Sequence, residues 1–259
     1  MRFCSLGSGS TGNATLVEAA AGTRRSRVAV DCGFSLREFE FRLARAGLAL
    51  DDLDAVFVTH EHGDHVGCAL TLARRHGIPL WMSRGTWVAI GAPELDTGLL
   101  HFARDGAAIA VGDLELTPYT VPHDAAEPLQ LRCSDGARRL GLLTDAGSST
   151  PHLVEHLRGC DALLLECNHD TALLAGSSYP PMLKARIGGR HGHLSNETAA
   201  AILQACRHGA LQHLVAAHLS EQNNRPELAR ASLAAAVQAR ADDIVVADAR
   251  CGFDWLQIR

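Results

Sequence analysis

One short segment of the chain holds four potential metal-binding side chains within six residues, and it reads His60-Glu61-His62-Gly63-Asp64-His65. It follows an apolar run typical of a buried strand and precedes a helical pattern. In a turn that leaves a strand, His60 and His62 can reach one metal ion, while Asp64 and His65 can reach a second. Two imidazoles with one further ligand leave a position open for water, which catalysis needs and a structural site does not. The segment therefore predicts a catalytic metal centre rather than a polar surface turn.

Polar residues of the same kind follow other apolar runs at the point where each run ends. They are Asp31, His60, Asp145, Glu166 and His218. Strand ends at one edge of a sheet can converge in space, which is the usual position of an active site in an α/β protein. We therefore expect these side chains to meet at one sheet edge.

Strands and helices alternate along the chain, and this alternation must position the polar residues. The apolar runs predict strands near residues 15–18, 27–30, 54–58, 78–82, 139–144, 161–166, 214–217, 244–246 and 253–258. Helices are predicted over 66–76, 150–158, about 196–208 and 227–240, with Gly77 and Gly209 after the first and third. The pattern predicts an α/β (α+β) fold with two similar halves and no linker, hence one domain over residues 1–259.

Composition excludes several classes of protein. With 259 residues, 47% hydrophobic and 20% charged, the chain can bury a large core and is not disordered. The formal charge of −5 argues against a broad surface for polyanions, although a local basic groove remains compatible with it. No apolar run reaches the ~18–20 residues of a membrane span, and the N-terminus does not resemble a secretory signal. Eight scattered cysteines without a C-x-x-C pair indicate buried thiols in a reducing compartment, so we expect a cytoplasmic protein.

The segment Thr59–His65 resembles the HxHxDH signature of the metallo-β-lactamase superfamily, and the other motifs of that family can be matched in order. The resemblance implies a four-layer αββα sandwich with a dinuclear site at the shared edge of two sheets. It implies that one metal is held by His60, His62 and His123, and the other by Asp64, His65 and His218. Asp145 would bridge the two ions, and Asp31 would support the histidine loop. Two divalent ions per chain are implied; Zn²⁺ fits, and Mn²⁺ or Fe²⁺ can occupy the same geometry.

Three further stretches narrow the resemblance to the WalJ/YycJ-type group of bacterial proteins, over nearly the whole chain. They are Leu6–Ala14, His123–Pro128 and the region from Leu165 to Asn224. This group is associated with 5′→3′ exonuclease activity on DNA, so the resemblance implies DNA as the partner. The length leaves no room for the inserted β-CASP domain of larger nucleases.

Glu166 and His193 resemble a Glu–His couple that protonates the leaving group in tRNA-processing relatives. A carboxylate beside an imidazole raises its basicity and fixes its tautomer, so His193 could donate a proton at neutral pH. The catalytic residues expected on this basis are Asp64, Asp145, Glu166 and His193. The alternative is a Glu–His pair that only braces two loops.

Substrate contacts are less constrained by the sequence. The basic residues Lys184, Arg186 and Arg190 precede His193 and either hold flanking phosphates or form a solvated helix face. The Gly7–Asn13 loop either offers N–H groups to a terminal phosphate or is a tight turn. His169 either contacts substrate or braces its loop. With these alternatives open, the predicted substrate-binding residues are Asn13, His169, Lys184, Arg186, Arg190 and Asn223.

The function predicted from these residues is a dinuclear-metal phosphodiester hydrolase, with DNA bearing an accessible 5′ end as the best substrate. A hydrolase of RNA or of a small cyclic phosphodiester is the nearest alternative. A thioesterase or lactonase of the glyoxalase II kind is the second, and the basic residues with the Glu166–His193 couple weigh against it. A binding protein without activity is the third, and the complete ligand set weighs against that.

Overall fold

Fourteen strands form two seven-stranded sheets in a computed structural model that describes residues 1–259. The strands are β1 Arg2–Gly7, β2 Ala14–Ala21, β3 Arg24–Val30, β4 Ala55–Phe57, β5 Leu80–Met82, β6 Leu100–Phe102, β7 Ile109–Val111, β8 Leu114–Thr120, β9 Leu129–Ser134, β10 Arg139–Leu143, β11 Ala162–Glu166, β12 His213–Ala217, β13 Val245–Val246 and β14 Phe253–Gln257. The first sheet has the order β14-β1-β2-β3-β4-β5-β6, and the second has the order β13-β12-β11-β10-β9-β8-β7.

The two sheets share one pairing pattern. In the first sheet, β14, β1, β2 and β3 pair antiparallel, and β3, β4, β5 and β6 pair parallel. In the second sheet, β7 to β10 pair antiparallel, and β10 to β13 pair parallel. The two similar halves expected from the sequence are therefore visible in the pairing, except that β14 returns to the first sheet.

Nine helices accompany the sheets. They are α1 Leu36–Arg45, α2 Gly63–Val66, α3 Ala69–His76, α4 Arg84–Ala89, α5 Pro151–Leu157, α6 Thr171–Gly176, α7 Pro181–Ile187, α8 Asn196–Cys206 and α9 Pro226–Val237, with 3₁₀ turns at Leu50–Asp52 and Ala241–Asp243. None of them combines the length and the apolar character that crossing a membrane requires.

Three separate hydrophobic cores define the layers. Alternate residues of each strand face opposite sides of a sheet. Val28 and Val30 of β3 accordingly lie in the core between the sheets, whereas Ala29 packs towards α1 and α3. On β11, Leu164 faces the core between the sheets and Leu165 faces the core with α5, α8 and α9. Three cores between four layers confirm the predicted αββα sandwich.

Three predicted helices differ from those observed. The helix predicted over 227–240 ends at Val237, because Gln238 takes a left-handed φ of +57°. The helix predicted over 66–76 is two helices, because Gly67 takes a φ of +29° and separates α2 from α3. The helix predicted to reach His208 ends at Cys206, because its cap residue Arg207 is extended. The prediction of buried cysteines holds for seven of the eight, and Cys251 is exposed.

Candidate metal centre

The polar residues that end the strands lie together at one edge of the two sheets. Three of them, Asp31, Asp145 and His218, have positive φ angles of 61°, 53° and 54°. Only two other non-glycine residues, Ala92 and Gln238, share this left-handed conformation. A strained backbone of this kind costs free energy and clusters at functional sites. Each of the three leaves its strand by a sharp turn that directs its side chain across the sheet edge.

His60, His62 and His123 form the first group of nitrogen atoms. His60 Nε2 lies 3.0 Å from His62 Nδ1, and His123 Nε2 lies 3.3 Å from the same atom. In a tetrahedral zinc site with bonds of about 2.0–2.1 Å, neighbouring ligand nitrogens are about 3.3 Å apart. The three nitrogen atoms therefore have the spacing of ligands to one ion.

Hydrogen bonds behind two of these rings fix which nitrogen faces the group. The Thr59 hydroxyl donates to Asp31 and so accepts from His60 Nδ1 at 3.0 Å. The Gly192 carbonyl accepts from His123 Nδ1 at 2.9 Å. Each ring consequently keeps the lone pair of its Nε2 free. Burial, reinforced by neighbouring imidazoles, lowers the pKa of both His60 and His123, which keeps these rings neutral.

Asp64, His65, Asp145 and His218 form the second group. Asp64 Oδ2 lies 3.5 Å from both His65 Nε2 and His218 Nε2. His65 Nδ1 donates to Asp31 Oδ2 at 2.8 Å, which leaves its Nε2 to face Asp145 Oδ2 at 2.5 Å. The structure thus places Asp31 behind His65, where its carboxylate orients the ring.

Asp145 lies between the two groups. Its Oδ2 is 3.5 Å from His60 Nε2 of the first group and 2.5 Å from His65 Nε2 of the second. Its Oδ1 is 2.5 Å from His218 Nδ1, and the other ring nitrogen, His218 Nε2, is buried without a hydrogen-bond partner. Buried polar atoms normally have a partner, so unpaired atoms call for a cation or water. The donor set therefore fits two adjoining divalent ions that share Asp145.

Glu166 and His193 form a third group beside the second. His193 Nδ1 donates to Glu166 Oε1 at 2.7 Å, and Glu166 Oε2 accepts from the backbone N–H of Ala146 at 2.7 Å. Burial alone would lower the pKa of His193, but Glu166 and Asp145 together raise it to about 9. Burial would raise the pKa of Glu166, but His193 holds it below its ordinary value. The pair is therefore a buried carboxylate hydrogen-bonded to an imidazole ring that is partly open to solvent.

The predicted substrate contacts separate into two sets. Asn13 and Asn223 are buried, at 4% and 0% exposure. The Asn13 amide bonds Gly9 and Asp64, which closes the Gly7–Asn13 loop behind the ligands. The Asn223 side chain donates to Ser220, and its Oδ1 is buried without a hydrogen-bond partner. These contacts hold the loops around the site, and the substrate contacts predicted for Asn13 and Asn223 stay predictions.

The other predicted substrate contacts lie near the opening of the site. His169 and Lys184 line one cavity together with His193. Arg186 is exposed and pairs with Asp124 at 2.6 Å, and Arg190 is exposed. The structure therefore brings His169 and Lys184 together with His193, and the substrate contacts of all four side chains stay predictions.

Sequence reasoning missed two residues of the site. Thr59 joins Asp31 to His60 and also lies 3.3 Å from His65 Nδ1. Asp124 lies 3.4 Å from His123 Nε2 and anchors Arg186. Each residue is next in sequence to a predicted ligand histidine, and this position was the signal that could have identified it.

Comparison with known proteins agrees with this geometry. Residues 26–219 match the family described as Beta-lactamase superfamily domain. The chain belongs to the metallo-β-lactamase superfamily. Among solved structures, it superposes on the metallo-β-lactamase fold protein YhfI from Bacillus subtilis with a TM-score of 0.74, at 17% identity and 98% coverage of both chains. The family and fold expected from the sequence are confirmed.

Two curated proteins are similar to this chain over most of their length. The chain is 35% identical over 237 residues to the protein named Exodeoxyribonuclease YycJ of Bacillus anthracis, covering 90% of this chain and 88% of that protein. It is 32% identical over 236 residues to the protein named Exodeoxyribonuclease WalJ of Streptococcus pneumoniae serotype 2, covering 90% and 86%. The WalJ/YycJ-type resemblance within the metallo-β-lactamase superfamily is therefore confirmed.

Proposed function

We propose that this protein is a dinuclear-metal hydrolase that cleaves DNA phosphodiesters, releasing nucleotides from the 5′ end. The observation that carries the proposal is the position of Asp145, whose carboxylate adjoins both ligand groups and the Glu166–His193 pair. The names of the two curated relatives support a DNA substrate.

In this proposal each ligand group would hold one ion. His60, His62 and His123 would hold the first, Asp64, His65 and His218 would hold the second, and Asp145 would be a ligand to both. Five imidazoles and two carboxylates suit Zn²⁺ or Mn²⁺, and Fe²⁺ can occupy the same donor set. Two bound ions would supply the positive charge that stabilises the attacking and leaving oxygens of an in-line displacement.

The protein's own side chains then carry out the proton transfers. Asp64 and Asp145 accept hydrogen bonds from the attacking water and so orient it. His193, held by Glu166 at 2.7 Å, donates its proton to the leaving oxygen. Arg186, Arg190 and Lys184 attract the phosphates on either side of the scissile bond.

A panel of substrates tests the proposal. Protein loaded with Zn²⁺ or Mn²⁺ would be incubated with 5′-labelled duplex DNA, single-stranded DNA, RNA of the same sequence, a 2′,3′-cyclic nucleotide and a thioester. We expect 5′-labelled DNA to release labelled mononucleotide from the earliest times, and Asp145→Ala to lose both metal and activity. Thioester turnover without cleavage of DNA would contradict the proposal, and preference for RNA or the cyclic nucleotide would reassign the substrate.

A further inference from the structure

We propose that the cavity between α6, α7 and the start of α8 binds the leaving nucleotide as a nucleoside 5′-monophosphate. The cavity has a volume of about 520 Å³, and Leu174, Lys184, Ala185, His169 and His193 contribute to its walls. Small-molecule pockets span about 300–1,000 Å³, so this cavity has room for one nucleotide. The inference rests on the proposed function, and it specifies which of the two fragments of the cleaved strand the cavity binds.

His193 places the cavity on the leaving-group side. Its Nδ1 is held by Glu166 at 2.7 Å, while the ring lines the cavity. A proton donor must lie within hydrogen-bond reach of the oxygen it protonates. The fragment attached to that oxygen therefore lies in the cavity, and the remaining strand lies on the other side of the ligand groups.

His169 is a buried polar side chain of the cavity wall that no protein group satisfies. The residue is 3% exposed, its Nδ1 has no hydrogen-bond partner, and no protein atom bonds its other ring nitrogen. Its backbone is nevertheless fixed, because His169 forms an isolated β-bridge with Ser195. Its carbonyl also accepts a hydrogen bond from the Asn196 N–H at 2.9 Å. A buried polar group without a partner is costly, so its retention in a cavity wall indicates a ligand atom.

Lys184 supplies the charge for the phosphate. It is the single lysine of the chain. Its ammonium donates to the Ala175 carbonyl at 2.7 Å, and no carboxylate lies within 4.0 Å of it. An ammonium has three donors, so two remain for an anion. With Leu174 and Ala185 as apolar walls, the cavity combines a cation, an unsatisfied imidazole and apolar surface, as a nucleotide requires.

The reaction balances with this placement. The water oxygen forms a bond to phosphorus while the bond from phosphorus to the 3′-oxygen of the terminal nucleotide breaks. His193 gives its proton to that oxygen, and the proton lost by the water passes to solvent, from which His193 is reprotonated. The cavity then holds a nucleoside 5′-monophosphate with a free 3′-hydroxyl, and the shortened strand keeps the new 5′-phosphate.

The single lysine gives a direct binding test that needs no turnover. The N-terminal amine is buried and paired with Asp135, so an amine-acylating reagent should modify mainly Lys184. Acylation of the wild-type protein would be followed by peptide mass spectrometry with 2′-deoxyadenosine 5′-monophosphate, with 2′-deoxyadenosine and with inorganic phosphate. We expect the monophosphate at millimolar concentration to slow acylation at least fivefold and the two fragments to protect less. Absence of protection by the monophosphate would overturn the proposal.

Variants extend the test to catalysis. Lys184→Met and His169→Phe should each raise the monophosphate concentration that half-inhibits DNA cleavage about tenfold. The matched control is Arg207→Met, an exposed cation at the opposite end of α8, which should leave inhibition unchanged. If the monophosphate protects Lys184 but no DNA is cleaved, nucleotide binding in the cavity is supported and the proposed function is refuted. If DNA is cleaved but Lys184 is not protected, only nucleotide binding in the cavity is refuted.

Discussion

Among the side chains outside the predicted ligand groups, the proposed reaction assigns the largest role to His193. Its Nδ1 is 2.7 Å from Glu166 and 3.2 Å from Asp145. These carboxylates favour the protonated ring, which the leaving oxygen needs. The side chain is 24% exposed, whereas Glu166 is fully buried. His193 is therefore the member of the pair that can contact a substrate.

Replacement of His193 separates proton donation from metal binding. His193→Ala should keep its metal content, because the ring lies outside both ligand groups, and should lower kcat about 10²–10⁴-fold. Metal analysis and steady-state kinetics on 5′-labelled DNA measure the two quantities. His191→Ala, an exposed neighbour, is the matched control. Full activity of His193→Ala would exclude its role as proton donor.

At the scale of elements, the turn after β3 and the helix α2 position the ligands against each other. A Cβ on Gly33 would lie 1.7 Å from the Asp64 carbonyl, and one on Gly67 would lie 2.3 Å from the Cys32 carbonyl. The backbone of the turn at Cys32 and Gly33 is therefore in direct contact with the backbone of the histidine loop, residues 60–67. Side chains at either glycine would push Asp64 and His65 away from Asp145.

Gly33→Ala should consequently weaken metal binding. We expect the metal dissociation constant to rise about 10–100-fold, as it does when the support of a ligand is disturbed. Titration of metal-free protein with Zn²⁺ in the presence of a competing chelator measures this. Gly209→Ala, where a Cβ has open space, should bind metal as the wild type does. Equal affinity of both variants would show that the contact does not position the ligands.

A second element-scale feature joins β1, β2 and β3 away from the site. Glu18 on β2 is 3% exposed and lies directly opposite Arg2 and Arg27. It accepts from both guanidinium groups at 2.7 Å. Burial raises the pKa of Glu18, but hydrogen bonds from the two arginines outweigh this and lower it. The ionised carboxylate therefore stabilises the folded sheet.

Glu18→Gln should lower the free energy of unfolding at neutral pH by about 2 kcal/mol, the scale of a hydrogen bond to a charged group. Because the folded pKa is depressed, the stabilisation is present above the unfolded pKa and is lost as pH falls through the folded pKa. Urea unfolding at neutral pH and at about pH 3 should thus show a difference that shrinks in acid. Glu155→Gln, which removes an exposed pair with Arg158, should change little. A difference independent of pH would contradict the ionic account.

The sequence predicted the positions of strands and helices better than the contacts between them. Apolar runs located the strands whose ends carry Asp31, Asp145 and His218, because burial on both faces of a parallel strand leaves a clear pattern. The break at Gly67 was missed, because a glycine inside a helical pattern is often tolerated. The contact of Asn13 with Asp64 joins segments that are 51 residues apart, which periodicity does not encode.

At the scale of the whole molecule, the fold concentrates charge in an acidic protein. The chain carries a formal charge of −5, and two divalent ions would offset four of those five negative charges at one point. Lys184 lines the cavity beside His193, and Arg186 pairs with Asp124 next to His123. Under the proposed function, a phosphate backbone would therefore meet local positive charge, whereas the negative overall charge disfavours a broad polyanion-binding surface.

The metal content of the purified protein tests the central claim most directly. Elemental analysis of protein purified without chelators and without added metal should give close to two transition-metal ions per chain. Asp145→Ala should give fewer than one, because its carboxylate adjoins both ligand groups. A wild-type protein that binds no transition metal, even after incubation with Zn²⁺ or Mn²⁺, would contradict the account.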